Sequence, residues 1–235
     1  MPVPAEHLPA IRRLALFATV PRPVVDRLLR KARLQHFGGG SVLFLEGDAA
    51  EHLYVALDSH VCLKAGDGNP PHYVIEFVPP GQPLILAAVV LDKPFLMTAE
   101  VVQAGNVLLI PAVDLRRGAD SNIALSQAIN RSAAVQWRTL IGQIKSLKMQ
   151  TGPQRLAAFL VSLVEGKSEA TVDLPCERQV LATWLGMVPA TASRAFKELT
   201  RHGVEGRGRT LTIKSVRRLT EFAEGSKEPP HPPTA

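Results

Sequence analysis

The side chains of this 235-residue chain best suited to chemistry gather near its C-terminus, and the chemistry they suit is recognition of a nucleic-acid duplex. The stretch CERQVLATWLGMVPATASRAFKELTRHG, Cys176 to Gly203, has the form of two helices around a tight turn. The first helix is expected from about Glu177 to Leu185, with Val180, Leu181, Trp184 and Leu185 turned inward. Gly186 ends it, because glycine takes a left-handed backbone at a helix C-terminus without steric strain. Pro189 opens the second, where a missing N–H costs nothing.

On that second helix Ala192, Ala195, Phe196 and Leu199 recur at i, i+3, i+4 and i+7, a face to be buried. Ser193, Arg194, Lys197 and Arg201 fall opposite. A helix that reads a DNA groove needs this division: one side anchors it, while short polar and long basic side chains reach base edges and phosphates. Arg194 is the best candidate for a bidentate contact to guanine. After Gly203, Val204–Arg209 and Thr210–Ile213 read as a short hairpin, a wing that offers Arg207 and Arg209 to phosphate; Arg178 stands at the start of the first helix. From Arg178 to Arg218 there are nine basic residues against Glu198 and Glu205, so the positive excess of a chain with net charge +6 and pI near 9.6 sits where the motif sits.

Other chemistries find little support. No Ser-His-Asp elbow, P-loop, dinucleotide-binding glycine run or HExxH helix occurs, and Gly38-Gly39-Gly40 leads into a strand, a poor phosphate cradle. Cys62 and Cys176 make neither a disulfide framework nor a four-cysteine metal cluster. Cys176 lies near the start of a helix, where the dipole would lower its pKa and favour redox sensing, unless it is simply a small buried cap residue. The N-terminus does not read as a signal peptide, and no apolar run reaches the roughly 18 residues of a membrane span, so a cytoplasmic location without membrane contact is expected.

Several elements must position the motif. Leu8–Leu34 reads as two short helices broken by Pro21 and Pro23. From Gly38 to about Ile110 short segments alternate with turns: 42–44, 53–55, 61–64, 73–77, 98–102 and 107–110, the pattern of a rolled antiparallel sheet. Residues 119–149 read as a long helix capped by Asp120 or Ser121. Its apolar stripe, Ile129, Ala133, Trp137, Leu140, Ile144 and Leu147, fits packing on a second copy of the chain; an ordinary surface helix is the other reading. Thr151-Gly152-Pro153 then reads as a hinge, and Gln154–Val164 as a further helix. The expected organisation is therefore α+β. A β-roll sensor with N-terminal helices occupies 1–118, a dimerisation helix 119–150, a winged helix-turn-helix 151–224, and a proline-rich disordered tail 225–235.

From Phe37 to about Ile213 the sequence resembles the CRP/FNR family of transcription regulators. The matching stretches are Phe44-Leu45-Glu46-Gly47-Asp48 with Leu53-Tyr54-Val55, Pro79-Pro80-Gly81-Gln82, Met97-Thr98-Ala99-Glu100-Val101, and Leu181–Gly186 with Thr191-Ala192-Ser193-Arg194. The resemblance implies a cyclic-nucleotide-binding-like β-roll of jelly-roll type. It also implies a homodimer that binds a palindromic site on double-stranded DNA, Thr191 joining the reading set, and contacts RNA polymerase.

The departures from the family pattern bear on the effector. Where cyclic-AMP-binding members carry a Gly-Glu and an Arg-Ser pair, this chain has Ile85-Leu86 and Leu96-Met97-Thr98, and a buried phosphate without an arginine is costly. Cyclic AMP is not expected. An iron-sulfur cluster is not expected either, since no cysteine precedes Cys62. The apolar segment Leu84–Leu91 is either plain packing or the wall of a haem pocket, as similarity to the nitric-oxide and carbon-monoxide sensing branches implies. Candidate iron ligands are His60 and Cys62, with Pro2, His7, His36, His72 and Met1, although each histidine taken singly reads first as a surface or hydrogen-bonded residue. The chain thus reads as an effector-responsive regulator; the alternatives are a constitutive regulator that has lost effector sensing and an effector-binding module that no longer binds DNA. Ala190 replaces the glutamate that the oxygen-sensing branch places before Thr-x-Ser-Arg, which implies looser selection at one base pair.

Overall fold

The structure, a computed structural model, describes residues 2–66, 73–164 and 168–225. It divides into two compact units at Leu140/Ile141, inside the long helix and upstream of the boundary at 150 expected from sequence. The expected tail at 226–235 lies outside the described residues, as do Met1 and His72.

In the first unit a 3₁₀ turn, Ala5–His7, leads into α1 (Leu8–Arg12) and α2 (Arg22–Leu29). Seven strands follow: β1 (Arg33–Phe37), β2 (Val42–Phe44), β3 (His52–Ala56), β4 (His60–Ala65), β5 (Tyr73–Val78), β6 (Thr98–Gln103) and β7 (Gly105–Pro111). They form two antiparallel sheets, ordered β1-β7-β3 and β2-β6-β4-β5. Alternation sends Leu53 and Val55 from one sheet, and Val61, Leu63, Ala99 and Val101 from the other, into a common core. Phe44 stacks on Phe95 within it, ring centroids 3.7 Å apart.

The segment from Leu84 to Leu91 turns inward as α3 (Leu86–Leu91). Leu84, Leu86 and Val89 have no exposed surface, so these side chains are packing and do not line an open pocket. Ile85, at α3's N-cap, is held at φ 39°, a backbone conformation that a β-branched residue rarely adopts.

The single helix expected from 119 is two. Residues 112–121 form α4 (Ala112–Ser121), which buries Ala112 and Leu115. Asn122 then leaves helical geometry, and its Oδ1 accepts from the Leu125 N–H at 3.0 Å, so Asn122 caps α5 (Ile123–Met149) in place of Asp120 or Ser121. With 27 residues, α5 is about 40 Å long at 1.5 Å per residue. Its first turns belong to the roll: Leu125, Ala128 and Ile129 are buried and Ala133 packs against the same core. Ile129, expected on a dimer stripe, is thus covered by its own chain and Ala133 partly so. Beyond them the apolar surface is open, with Trp137 64% and Ile144 49% exposed.

The second unit holds α6 (Gly152–Ser162), β8 (Ala170–Asp173), α7 (Arg178–Trp184), α8 (Pro189–Arg201), β9 (Val204–Arg207), β10 (Thr210–Ile213) and α9 (Val216–Ala223), with a sheet ordered β8-β10-β9. Leu156, Leu160, Leu181, Ala195, Leu199, Leu211, Ile213 and Leu219 are all buried there. No helix among the described residues is long and apolar enough to cross a membrane.

Candidate nucleic-acid interface

The two helices α7 and α8 are joined as their residues dictate. Gly186 takes φ 67°; its N–H donates to the Thr183 carbonyl at 3.0 Å and the Met187 N–H to the Ala182 carbonyl at 2.8 Å, the paired bonds of a Schellman end. Pro189 then begins α8. Ala192, Ala195 and Leu199 are buried, with Phe196 partly so, whereas Thr191, Ser193, Arg194, Lys197 and Arg201 are exposed. The buried and exposed faces of α8 therefore divide where the spacing predicts.

The wing is β9 and β10, paired from Val204↔Ile213 to Arg207↔Thr210 around Gly208 at φ 58°. β8 completes its sheet through Asp173↔Thr210 to Ala170↔Ile213. Arg207 is exposed at the tip of β9. Among the described residues Arg194, Lys197, Arg201 and Arg207 enter no ion pair, so four exposed cations stand ready for an anionic partner. A recess of about 750 Å³ separates α7 and α8 from the wing, lined by Gln179, Ser193, Lys197, Thr200 and Glu205 among others. Glu205 pairs with Lys214 at 2.5 Å.

Two of the expected phosphate ligands are engaged elsewhere. Arg178 Nε donates to the Gly208 carbonyl at 2.7 Å and Nη2 to the Gly206 carbonyl at 3.0 Å, while its guanidinium carbon lies 4.5 Å from the Phe196 ring centroid. Arg209 Nε donates to the Leu174 carbonyl at 2.9 Å.

A third arginine, which sequence gave no reason to single out, braces the unit from behind. Arg155 Nε donates to the Leu185 carbonyl at 2.8 Å and Nη1 to the Gln150 carbonyl at 2.6 Å, so one side chain satisfies an orphan carbonyl at each of two helix ends. Burial draws its pKa below the ordinary arginine value. Gln154 Oε1 accepts from both the Thr151 N–H and hydroxyl, and a Cβ on Gly152 would lie 2.7 Å from Met187 Sδ.

The haem candidates are not brought together. Pro2 bridges Arg33 beside β1, in the three-stranded sheet, and His7 closes the N-terminal 3₁₀ turn 3.7 Å from Glu6. His36 lies on β1, whereas His60 and Cys62 lie on β4, in the other sheet. Cys62 has no exposed surface. His60 Nδ1 is buried without a hydrogen-bond partner, and burial lowers its pKa against an opposing hydrogen bond with Gln103. Among the described candidates only His60 and Cys62 share an element, and with Cys62 fully buried and Leu84, Leu86 and Val89 packed into the core the described residues do not fit a haem. No group of three or more metal-ligating side chains occurs among the described residues.

Cys176 departs from the reading based on helix polarity. Burial pushes its thiol up to about 11, and the Arg209 guanidinium only partly opposes this. At pH 7 roughly one thiol in 10⁴ would be ionised, which makes it a poor redox sensor. Ellman's reagent should leave both cysteines of the native chain unmodified and titrate them in denaturant; rapid labelling of Cys176 in the native state would contradict this.

Comparison with known proteins agrees with this geometry. Residues 154–222 match the Crp-like helix-turn-helix domain. Over 200 residues the chain is 26% identical to the nitrogen fixation regulation protein FixK of Bradyrhizobium diazoefficiens, covering 83% of each sequence. Its fold is similar to that of FixK2 from Bradyrhizobium japonicum, with a TM-score of 0.70 at 21% identity over 80% of this chain and 95% of that one. A Ruegeria pomeroyi structure, provisionally described as a cyclic nucleotide binding protein, matches at TM-score 0.67 and 28% identity over 93% and 98%.

Proposed function

Since the chain belongs to the CRP/FNR family of DNA-binding transcription regulators, we propose that it acts in the cytoplasm as a homodimer on a two-fold symmetric site, one α8 in the major groove of each half. The observation that carries this reading is the division of α8. Ala192, Ala195 and Leu199 fix it to the unit, and Ser193, Arg194 and Lys197 face outward beside a wing that carries Arg207. The exposed run from Trp137 to Ile144 on α5 supports pairing with a second copy, since an isolated chain would leave that apolar surface in water.

Selection of duplexes from a randomised pool by the purified chain should return a palindrome with a guanine in each half. Sedimentation should give twice the 25.4 kDa chain mass. A single unrepeated half-site bound by a monomer would defeat the reading.

The packed roll favours activity without an effector over effector-dependent activity. Leu84, Leu86, Val89 and Phe95, each at most 2% exposed, belong to the same core as Val61, Leu63 and Ala99. Protein unfolded, freed of small molecules and refolded should bind the selected duplex as tightly as before, with or without hemin. Binding restored only by hemin or by a small-molecule extract would reverse that preference.

A further inference from the structure

We propose that Arg178 is a positioning residue which holds the wing against the recognition helix, and that it acts on DNA through Arg207 and not by contacting phosphate itself. The inference rests on the reading that α8 and the wing bind DNA, and on the geometry around one guanidinium. Arg178 begins α7, lies over the Phe196 ring of α8, and donates to the carbonyls of Gly206 and Gly208 in the wing. Three consecutive elements, α7, α8 and the wing, are thereby joined by one planar cation.

The wing needs such a brace. Gly206 and Gly208 adopt φ 130° and 58°, and a Cβ on Gly206 would run into the Thr210 carbonyl oxygen. Glycines free the hairpin to turn tightly, but they also leave it with few side chains of its own to anchor it. Val204 and Ile213 are buried at its base and Leu211 is buried opposite Gly206, whereas residues 205–210 are all exposed. Arg207, the exposed cation of β9, therefore gets its place relative to α8 from the carbonyls on either side of it, and Arg178 holds both.

Arginine is required because the two donors and the stacked plane belong to one rigid fork. A lysine at this position keeps the charge but offers a single point donor and no face to lay on Phe196. Direct phosphate binding and wing positioning therefore predict opposite outcomes for Arg178→Lys.

The test uses the full chain as wild type, Arg178→Lys, Arg178→Gln, Arg207→Ala and Arg178→Lys/Arg207→Ala. The probes are a duplex selected by the wild type and a scrambled duplex of the same length. Without DNA, amide exchange over residues 204–210 should quicken about tenfold or more in both Arg178 variants, while α6 and α9 keep their protection. With DNA, Arg178→Lys should lose as much affinity as Arg207→Ala on both duplexes, the slope of log affinity against log salt should fall by about 2 for the dimer, one contact per half-site, and the double variant should lose little more. Wild-type affinity and slope in Arg178→Lys, with both reduced in Arg178→Gln, would identify Arg178 as a phosphate ligand and overturn the proposal. Unchanged exchange in the wing would overturn it as well. Failure of the wild type to bind any duplex would refute the DNA reading, and the exchange data would still decide whether Arg178 holds the wing.

Discussion

Arg194→Ala should remove sequence-specific DNA binding and leave the fold intact. Arg194 lies on the exposed face of α8 and makes no ion pair among the described residues, so truncating it uncovers no core. The anchoring of α8 depends on Ala192, Ala195 and Leu199, which are untouched. A bidentate arginine–guanine contact is worth about 1–3 kcal/mol per half-site, so a symmetric dimer stands to lose on the order of 10²–10⁴ in affinity for its own site. Binding to scrambled duplex should fall far less, because phosphate attraction from Lys197, Arg201 and Arg207 persists. Competition gel shifts with selected and scrambled duplex measure the ratio directly. An unchanged ratio would mean that Arg194 meets only the backbone and that specificity lies elsewhere on α8.

The second large effect concerns α5. Ile144→Asp places a carboxylate on the exposed apolar run and, in a two-fold dimer, brings its symmetry mate to the same seam. Two like charges in a desolvated interface oppose association strongly, and a hot-spot residue near the centre of an interface contributes about 2 kcal/mol or more. The variant should sediment as a folded monomer with wild-type helix content. Its affinity for the full palindrome should fall by roughly 10²–10⁴ as the second half-site ceases to bind intramolecularly. Ile129→Asp is the informative contrast: Ile129 is 4% exposed in the chain's own core, so that substitution should unfold the roll whatever the oligomeric state. A dimeric, tightly binding Ile144→Asp protein would show that the stripe packs on nothing.

The helix-turn-helix was legible because its signals are local and redundant. Gly186, Pro189 and the spacing of Ala192, Ala195 and Leu199 each point to the same geometry, and the structure has all three in place. The roll was legible from six apolar segments separated by turns. Edge strands were harder to read. Arg33–Phe37 buries Leu34, half-covers Phe37 and is otherwise polar, as edge strands tend to be, so β1 carries no clear alternation. β8 is an edge strand of four residues. The position of the break was blurred because Asp120, Ser121 and Asn122 are all capping residue types, and only the extended backbone of Asn122 and its bond to the Leu125 N–H single it out.

What could not be read was which arginines are already occupied. Charge counting treats Arg178, Arg194, Arg207 and Arg209 alike, yet Arg178 and Arg209 donate to backbone carbonyls that the hairpin brings close. Those acceptors lie roughly 30 residues away in sequence, and no periodicity reports them. The apolar segment at 84–91 was ambiguous for a related reason. A pocket wall and a core strand have the same composition, and only the three-dimensional packing of Leu84, Leu86 and Val89 distinguishes them.

The bracing by Arg155 changes where the long helix can yield. Thr151-Gly152-Pro153 has the composition of a joint, but Gln154 closes its first turn, Met187 leaves Gly152 no room, and Arg155 ties Gln150 to Leu185. Torque delivered along the last turns of α5 would therefore pass undiminished into α7 and the reading helix behind it.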